Sequence, residues 1–356
     1  MLGAVLFFDP LSRATLRLIA LANVALLVSL VLTVALAAGP ARAQSGTVCT
    51  GANLLDEIRR SDVATLAEIE AKADAVVNGR GSLWTVEKEG VAPSHLFGTM
   101  HVTDPRVIAL APEAQSAFDA SATVVIETTD VLDPATMMAA MTKRPDLMMF
   151  TDGASLFSLL EPETEAEVRE ALQARGIPPA SVQKMKPWML AAAIALPACE
   201  MARKSAGLPF LDIKLAEDAK ADGKEIAGLE SMIDQLEAMA SLPMNFHVDG
   251  LVATLRLGNR VDDMFETMIA LYVGGEIGML WPLFNAVLPM GDESAAAYAA
   301  FEEAMVTARN RNMAESARPF LDRGEAFIAV GALHLPGPDG LVELLRKDGY
   351  TVTRAD

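Results

Sequence analysis

Apolar positions along this chain keep several different periods, and the changes between them mark out its organisation. An almost unbroken apolar run extends from Leu18 to Ala38. From 53 to 77 (NLLDEIRRSDVATLAEIEAKADAVV) apolar residues recur at helical spacing, which predicts an amphipathic helix ended by Gly79-Arg80-Gly81. The period then shortens. Leu83-Trp84-Thr85-Val86 and His95-Leu96-Phe97 predict short strands on either side of a turn around Gly90 to Pro93. Leu110 to Ala120 predicts a helix, and the β-branched run Thr123-Val124-Val125-Ile126 predicts a buried strand. Helical patterns dominate from Pro134 to about Asn310, with breaks at Pro145, Gly153, Pro178-Pro179, Pro187, Gly207-Leu208-Pro209 and Pro243. One short segment among them, Glu225-Ile226-Ala227-Gly228, has strand character. A strand at Ala326 to Val330, a helix from Asp339 to Lys347 and a strand at Tyr350 to Thr353 complete the chain.

Two distant segments repeat one another. Phe97-Gly98-Thr99-Met100-His101-Val102 and Val330-Gly331-Ala332-Leu333-His334-Leu335 each follow an apolar run and lead through a loop with Asp and Pro into a helix and a further strand. This predicts an α/β fold: a central mixed sheet flanked by helices, with a large helical insertion at about 134–310 between two strand, Gly-x-x-His turn, helix, strand units. In open α/β sheets the loops at the carboxyl ends of strands gather along one edge, where ligands bind, so both histidines can face one crevice.

The N-terminus changes the compartment. Arg13 and Arg17, the apolar run, Gly39-Pro40 and the small-x-small triplet Ala41-Arg42-Ala43 read as an export signal cut after Ala43, with a retained membrane anchor as the alternative. A single domain, 44–356, then remains. The signal carries three Arg and one Asp, so against 29 basic and 47 acidic side chains in the whole chain the mature protein is about −20. Such a surface excludes nucleic acid as a partner and leaves membrane contact only to a retained N-terminal segment. Cys49 and Cys199 are the only cysteines, and in an oxidising compartment they suggest one disulfide; two buried free thiols are the other reading. Their spacing does not resemble a zinc site.

The candidate chemistry lies in the paired turns. Gly98 and Gly331 permit sharp turns, and His101 and His334, two of only four histidines, offer ring nitrogens for metal binding or proton transfer. Glu127 follows the strand 123 to 126, and Glu230 follows the segment 225 to 228. Two His and one or two Glu suit a divalent metal with an open position for hydrolysis, whereas either Glu alone could simply cap a helix. Arg309 could hold a substrate carboxylate or steady an oxyanion, unless it is merely solvated. His95 and His247 lack matched partners and read as structural, with a substrate contact as the other reading of His247. Met137, Met138, Met141, Met148 and Met149 suit either ordinary core packing or an adaptable groove for peptide, lipid or haem. The apolar stretch Met264 to Pro289 holds Glu266, Glu276 and several Gly, so it is not read as a membrane span.

Gly98-Thr99-Met100-His101, Ile126-Glu127, Ala227-Gly228-Leu229-Glu230-Ser231 with Gln235, Arg309-Asn310, and Val330 to Gly337 through Gly349-Tyr350 together resemble the TraB/GumN family. That family is related to the Tiki metalloproteases and, more distantly, to erythromycin esterases and haem-binding ChaN proteins. The likeness covers Cys49 to Thr353; for Tiki-type members it implies divalent-metal-dependent peptide hydrolysis, and for the GumN branch an association with polysaccharide gene clusters from which no reaction follows. It casts His101 and His334 as metal ligands or acid/base groups, Glu127 as a ligand or general base, and Arg309 as a supporting charge; Asn310 and Glu230, beside them, are candidate substrate contacts. Ala308 departs from a pattern that often has Glu before Arg-Asn. The function expected is therefore an exported metal-dependent hydrolase, plausibly a peptidase acting on a peptide or small molecule. The alternatives are a non-catalytic envelope protein binding haem or another ligand, and a polysaccharide-associated accessory protein.

Overall fold

Backbone hydrogen bonds join all six predicted strand segments into one sheet. In the computed structural model, which describes residues 48–287 and 299–356, the strands are β1 (Leu83–Glu87), β2 (Ser94–Thr99), β3 (Thr123–Ile126), β4 (Glu225–Gly228), β5 (Ala326–Gly331) and β6 (Thr351–Arg354). Their spatial order is β4-β3-β5-β2-β1-β6. The first four in that order run parallel, while β1 is antiparallel to both its neighbours. The fold is thus α/β with a mixed sheet. The export segment 1–43, and the end of the apolar stretch at Pro289, lie outside the described residues.

Among the described residues the longer helices in chain order are α1 (Leu54–Ser61), α2 (Val63–Asp74), α3 (Pro112–Ala120), α4 (Pro134–Lys143), α5 (Pro162–Ala174), α6 (Pro187–Ile194), α7 (Ala198–Ser205), α8 (Leu211–Ala221), α9 (Met232–Ala240), α10 (Met244–Leu257), α11 (Arg260–Val273), α12 (Leu280–Val287), α13 (Ala308–Leu321) and α14 (Leu341–Lys347). Side chains alternate across a strand, so Phe327 and Ala329 of β5 face one side while Ile328 and Val330 face the other. Phe97, Phe118 and Phe327 centre the first core, under α1, α2, α3, α8 and α11. Met313, Leu321, Leu341 and Leu345 of α13 and α14 build the second. With helices on both faces, β3 and the first five residues of β5 are buried at every position, which is why they read as continuous apolar runs. The insertion carries a smaller core of its own, Leu156, Leu172, Leu190 and Leu251 among its members.

One helix boundary differs from expectation. The periodicity over 53–77 predicts one helix, but the chain breaks at Asp62. The Asp62 carboxylate accepts from the Thr65 backbone N–H at 3.0 Å and its hydroxyl at 2.7 Å, capping α2. An N-cap satisfies donors that a continuous helix cannot give to a side chain, so local capping overrides the longer period. Among the described residues no helix is long and apolar enough to cross a membrane.

Cys49 and Cys199 form a disulfide with their Cα atoms 5.4 Å apart, tying the segment ahead of α1 to α7. The two cysteines are 150 residues apart, and closing so long a loop removes much freedom from the unfolded chain. Replacing both with Ala is expected to lower the unfolding free energy by about 2–5 kcal/mol in urea titrations. An unchanged midpoint would show that the bridge does not constrain the unfolded chain.

Candidate active site

Three adjacent parallel strands deliver the site. β3 and β2 flank β5, with Ile126 paired to Ala329 and Thr99 to Gly331. Glu127 and both Gly-x-x-His turns therefore leave the sheet at the same carboxyl edge. The turns pack closely: a Cβ on Gly98 would lie 2.8 Å from a Leu335 methyl and 3.0 Å from the Ala332 Cα. At Gly331 a Cβ would lie 3.1 Å from Glu127 Oε1, 3.5 Å from the His334 ring and 3.9 Å from His101 Nε2. One point thus lies within 4 Å of the carboxylate and of both imidazoles. All three side chains line one cavity of about 650 Å³.

Hydrogen bonds fix the rings from behind. His101 Nδ1 meets Asp212 Oδ2 at 2.9 Å, and Asp212 Oδ1 accepts from the Thr99 hydroxyl at 2.8 Å. His334 Nδ1 meets Asn310 Oδ1 at 2.6 Å, and Asn310 Nδ2 donates to the Asp339 carbonyl at 2.9 Å. Because Asn310 spends its NH₂ on a carbonyl, its oxygen must accept, which assigns the His334 proton to Nδ1 and leaves a lone pair on Nε2. That lone pair faces Glu127 Oε1 at 3.7 Å. The loop after His101 is anchored as well: the fully buried Glu200 accepts from the Thr103 N–H at 2.8 Å and hydroxyl at 2.7 Å, and Lys204 Nζ donates to the His101 carbonyl at 3.2 Å.

Glu127 is 6% exposed and saturated with donors. Its Oε1 accepts from the Gly331 N–H at 2.6 Å, and its Oε2 from Arg309 at 2.7 Å and Gln235 at 3.1 Å. Burial alone raises a carboxyl pKa, but the charges of His334 (protonated only in the acid range where Glu127 titrates), His101 and Arg309 outweigh it and hold Glu127 down to about 2. Burial pushes His334 down to about 4 against the pull of Glu127, so the ring is neutral. His101 behaves oppositely. Its surroundings favour the neutral ring, yet the charge and hydrogen bond of Asp212 push its pKa up to about 9.

Several expected roles change. Arg309 is neither solvated nor free for a substrate anion, because it bonds both Glu127 and Glu230 and donates to the Met305 carbonyl at 3.0 Å. Asn310 and Glu230 do not line the cavity; the first orients His334 and the second neutralises Arg309. Neither Glu caps a helix. Ser231 caps α9 in a capping box with Asp234, and Thr128 caps the turn after Glu127. With Glu127 and Glu230 both on Arg309, the guanidinium is paired without an acid at Ala308. His95 on β2 and His247 on α10 stand outside the cavity, as do Met137, Met138, Met141, Met148 and Met149. Among the described residues, the methionines that line it are Met100, Met268 and Met305.

Sequence reasoning missed Asp212. It stands in the first turn of α8, where an acid is ordinary complement to the helix dipole, and its 111-residue separation from His101 leaves no local signal. Tyr272, whose hydroxyl donates to the Gly98 carbonyl at 2.8 Å, likewise has no sequence cue.

A model of the TraB/PrgY/gumN family matches residues 82–354. The chain belongs to this family. It is 24% identical to metalloprotease TIKI1 of Danio rerio over 76% of this chain and 62% of that protein. For metalloprotease TIKI2 of the same fish the values are 26%, 76% and 60%, and for human metalloprotease TIKI1 they are 25%, 77% and 61%. The chain spans about three fifths of the length of the curated relatives it matches. No solved structure matches it.

The family's metal chemistry can be tested against the donors. Among the described residues no group of three His, Cys, Asp or Glu side chains is placed to hold a metal ion. The chemistry of the donors nevertheless fits: both imidazoles are held through Nδ1 by oxygen acceptors, as outer partners orient ligating histidines, which leaves each Nε2 near the ionised Glu127. His101, charged below about pH 9, must give up its Nε2 proton to ligate.

The His101–Asp212 pair gives a pH signature. The folded pKa, about 9, exceeds the ordinary 6.5, so the pair's stabilisation is complete below about 6.5 and is lost as pH rises through about 9. Asp212→Asn is expected to drop the His101 pKa toward or below 6.5 in an NMR titration and to remove that pH dependence. An unchanged titration would rule out Asp212 as the controlling partner.

Proposed function

We propose that this chain is an exported, divalent-metal-dependent hydrolase of peptides, with His101, His334 and Glu127 at its reacting end. One observation carries the reading: the bare Nε2 of His334 faces the ionised Glu127 Oε1 at 3.7 Å, and His101 Nε2 turns to the same point. Two acceptors oppose each other there, so a cation or a proton donor between them is stabilised. The relatives named metalloproteases support the cation.

When bound, a divalent cation polarises a carbonyl and acidifies water. The chain's own groups do the rest. Asp212 and Asn310 lock the orientation of the two rings; the Nε2 of His334 is already bare, while His101 would have to give up its Nε2 proton to ligate. Arg309 and the Gly331 N–H keep Glu127 ionised and immobile. A carboxyl held down to about 2 is a poor proton acceptor near neutral pH, which favours Glu127 as a ligand rather than as the general base. The Cys49–Cys199 bridge supports the export part of the reading, since such bonds persist in oxidising compartments. Neither the haem nor the polysaccharide reading has an observation in its favour.

Metal content by elemental mass spectrometry, after loading with Mn²⁺, Co²⁺ or Zn²⁺ and dialysis, tests the proposal. Wild type is expected to retain metal and to cleave unstructured peptides, while His101→Ala, His334→Ala and Glu127→Gln lose both. Equal metal in all four would sink the reading. Asn310→Ala, which touches no metal, is expected to weaken metal affinity by about 10–100-fold because the His334 ring loses its orienting acceptor.

A further inference from the structure

The cavity extends well beyond the reacting groups, and its chemistry changes abruptly away from them. Among the described residues that line it, those charged or titrating near neutral pH are His101, Glu127, Arg309 and His334, all at the sheet edge. The remaining wall is apolar and aromatic apart from Thr99, Thr254 and Tyr272, whose hydroxyls donate to Asp212 and to the Gly250 and Gly98 carbonyls. Phe246 from α10, Trp281 from α12 and Phe301 form a contiguous aromatic surface, with Phe301 centroids 5.6 Å from Phe246 and 5.9 Å from Trp281. Phe301, Met305 and Arg309 recur four residues apart through a π-helical turn, Glu303–Thr307. Arg309 reaches back to the Met305 carbonyl at 3.0 Å. The same stripe therefore carries the apolar wall directly to the Glu127 carboxylate. A π-turn at such a place commonly marks a functional site.

From this continuity we infer that the apolar end of the cavity is a side-chain pocket, and that the substrates are peptides bearing a bulky uncharged residue, aromatic above all, beside the bond that is cut. The inference rests on the hydrolase reading and specifies its substrate class. A charged side chain is disfavoured because the wall offers it no partner, and burying an unpaired charge is costly. A terminal carboxylate or phosphate is disfavoured at the apolar end too, because the cations among the described lining residues stand at the sheet edge and are already paired, Arg309 with Glu127 and Glu230 and His101 with Asp212. The size agrees: about 650 Å³ lies inside the range of about 300–1,000 Å³ that accommodates small ligands, enough for a large side chain and the backbone next to it. Gly250 marks the open space. It lies on the cavity face of α10, one turn from Phe246, and a Cβ added there would meet no atom of the described residues within 4 Å.

The test uses the metal-loaded full chain and a synthetic peptide library with every residue equally represented, the cut positions being read by mass spectrometry. Cuts beside Phe, Trp, Leu and Met are expected to exceed those beside Ala, Asp or Glu by about 100-fold, within the roughly 10–200-fold that a single methylene difference can supply in an apolar pocket. In Gly250→Phe, and independently in Ala253→Phe, filling the pocket is expected to collapse the aromatic-to-alanine ratio at least tenfold, with folding checked by urea unfolding. Cleavage without an apolar preference, or an unchanged ratio in the folded filled variants, overturns the pocket and leaves the hydrolase standing. A parallel calorimetric titration compares N-acetyl-phenylalaninamide with N-acetyl-alaninamide. Binding of the first alone, lost on filling, supports the pocket even where no peptide is cut, in which case the hydrolase reading falls. Failure of the aromatic amide to bind the wild-type chain overturns the pocket whatever the turnover.

Discussion

A carboxylate buried this deeply has to be paired, and the pairing of Glu127 organises everything around it. Its donors come from three separate parts of the chain: the Gly331 N–H at the end of β5, Gln235 on α9 and Arg309 on α13. Removing one partner from such an arrangement strands a charge in a water-poor place, so the sheet edge and both helices are held to one geometry. The absence of a side chain at Gly331 is part of the same constraint, since a Cβ would crowd the Glu127 oxygen at 3.1 Å.

The two histidine turns are alike in sequence and differ in electrostatics. Each ring is anchored through Nδ1, but His101 leans on the carboxylate of Asp212 while His334 leans on the neutral amide of Asn310. One ring is therefore pushed toward the charged form and the other kept neutral. The anchors come from α8 and α13, which pack on opposite faces of the sheet. The three-layer architecture thus supplies both the edge that presents the turns and the helices that orient them.

Much of the fold was legible because the signals are local. Strands such as Thr123–Ile126 and Ala326–Gly331, buried on both faces, appear as unbroken apolar runs, and the matched turns stand out because a strand, a glycine and a histidine repeat at fixed spacing. The partners of those histidines were not legible in the same way. Asp212 is an ordinary first-turn acid until α8 is packed against the first turn, and Asn310 becomes an orienter only when α13 meets the loop before α14. The break at Asp62 was hidden for the opposite reason: the apolar period runs through it while a single capping carboxylate interrupts the helix. Arg309 was visible as a charge, yet its saturation by two carboxylates depends on strands far apart in sequence.

X-ray absorption spectroscopy of the metal-loaded protein examines the central claim most directly, because imidazole rings leave a distinctive scattering pattern around a bound ion. A first coordination shell containing two imidazoles and carboxylate oxygen, reduced to one imidazole in His334→Ala, is the predicted result. A shell with no imidazole, or one unaltered in that variant, would contradict the convergence of the two turns on a common ion.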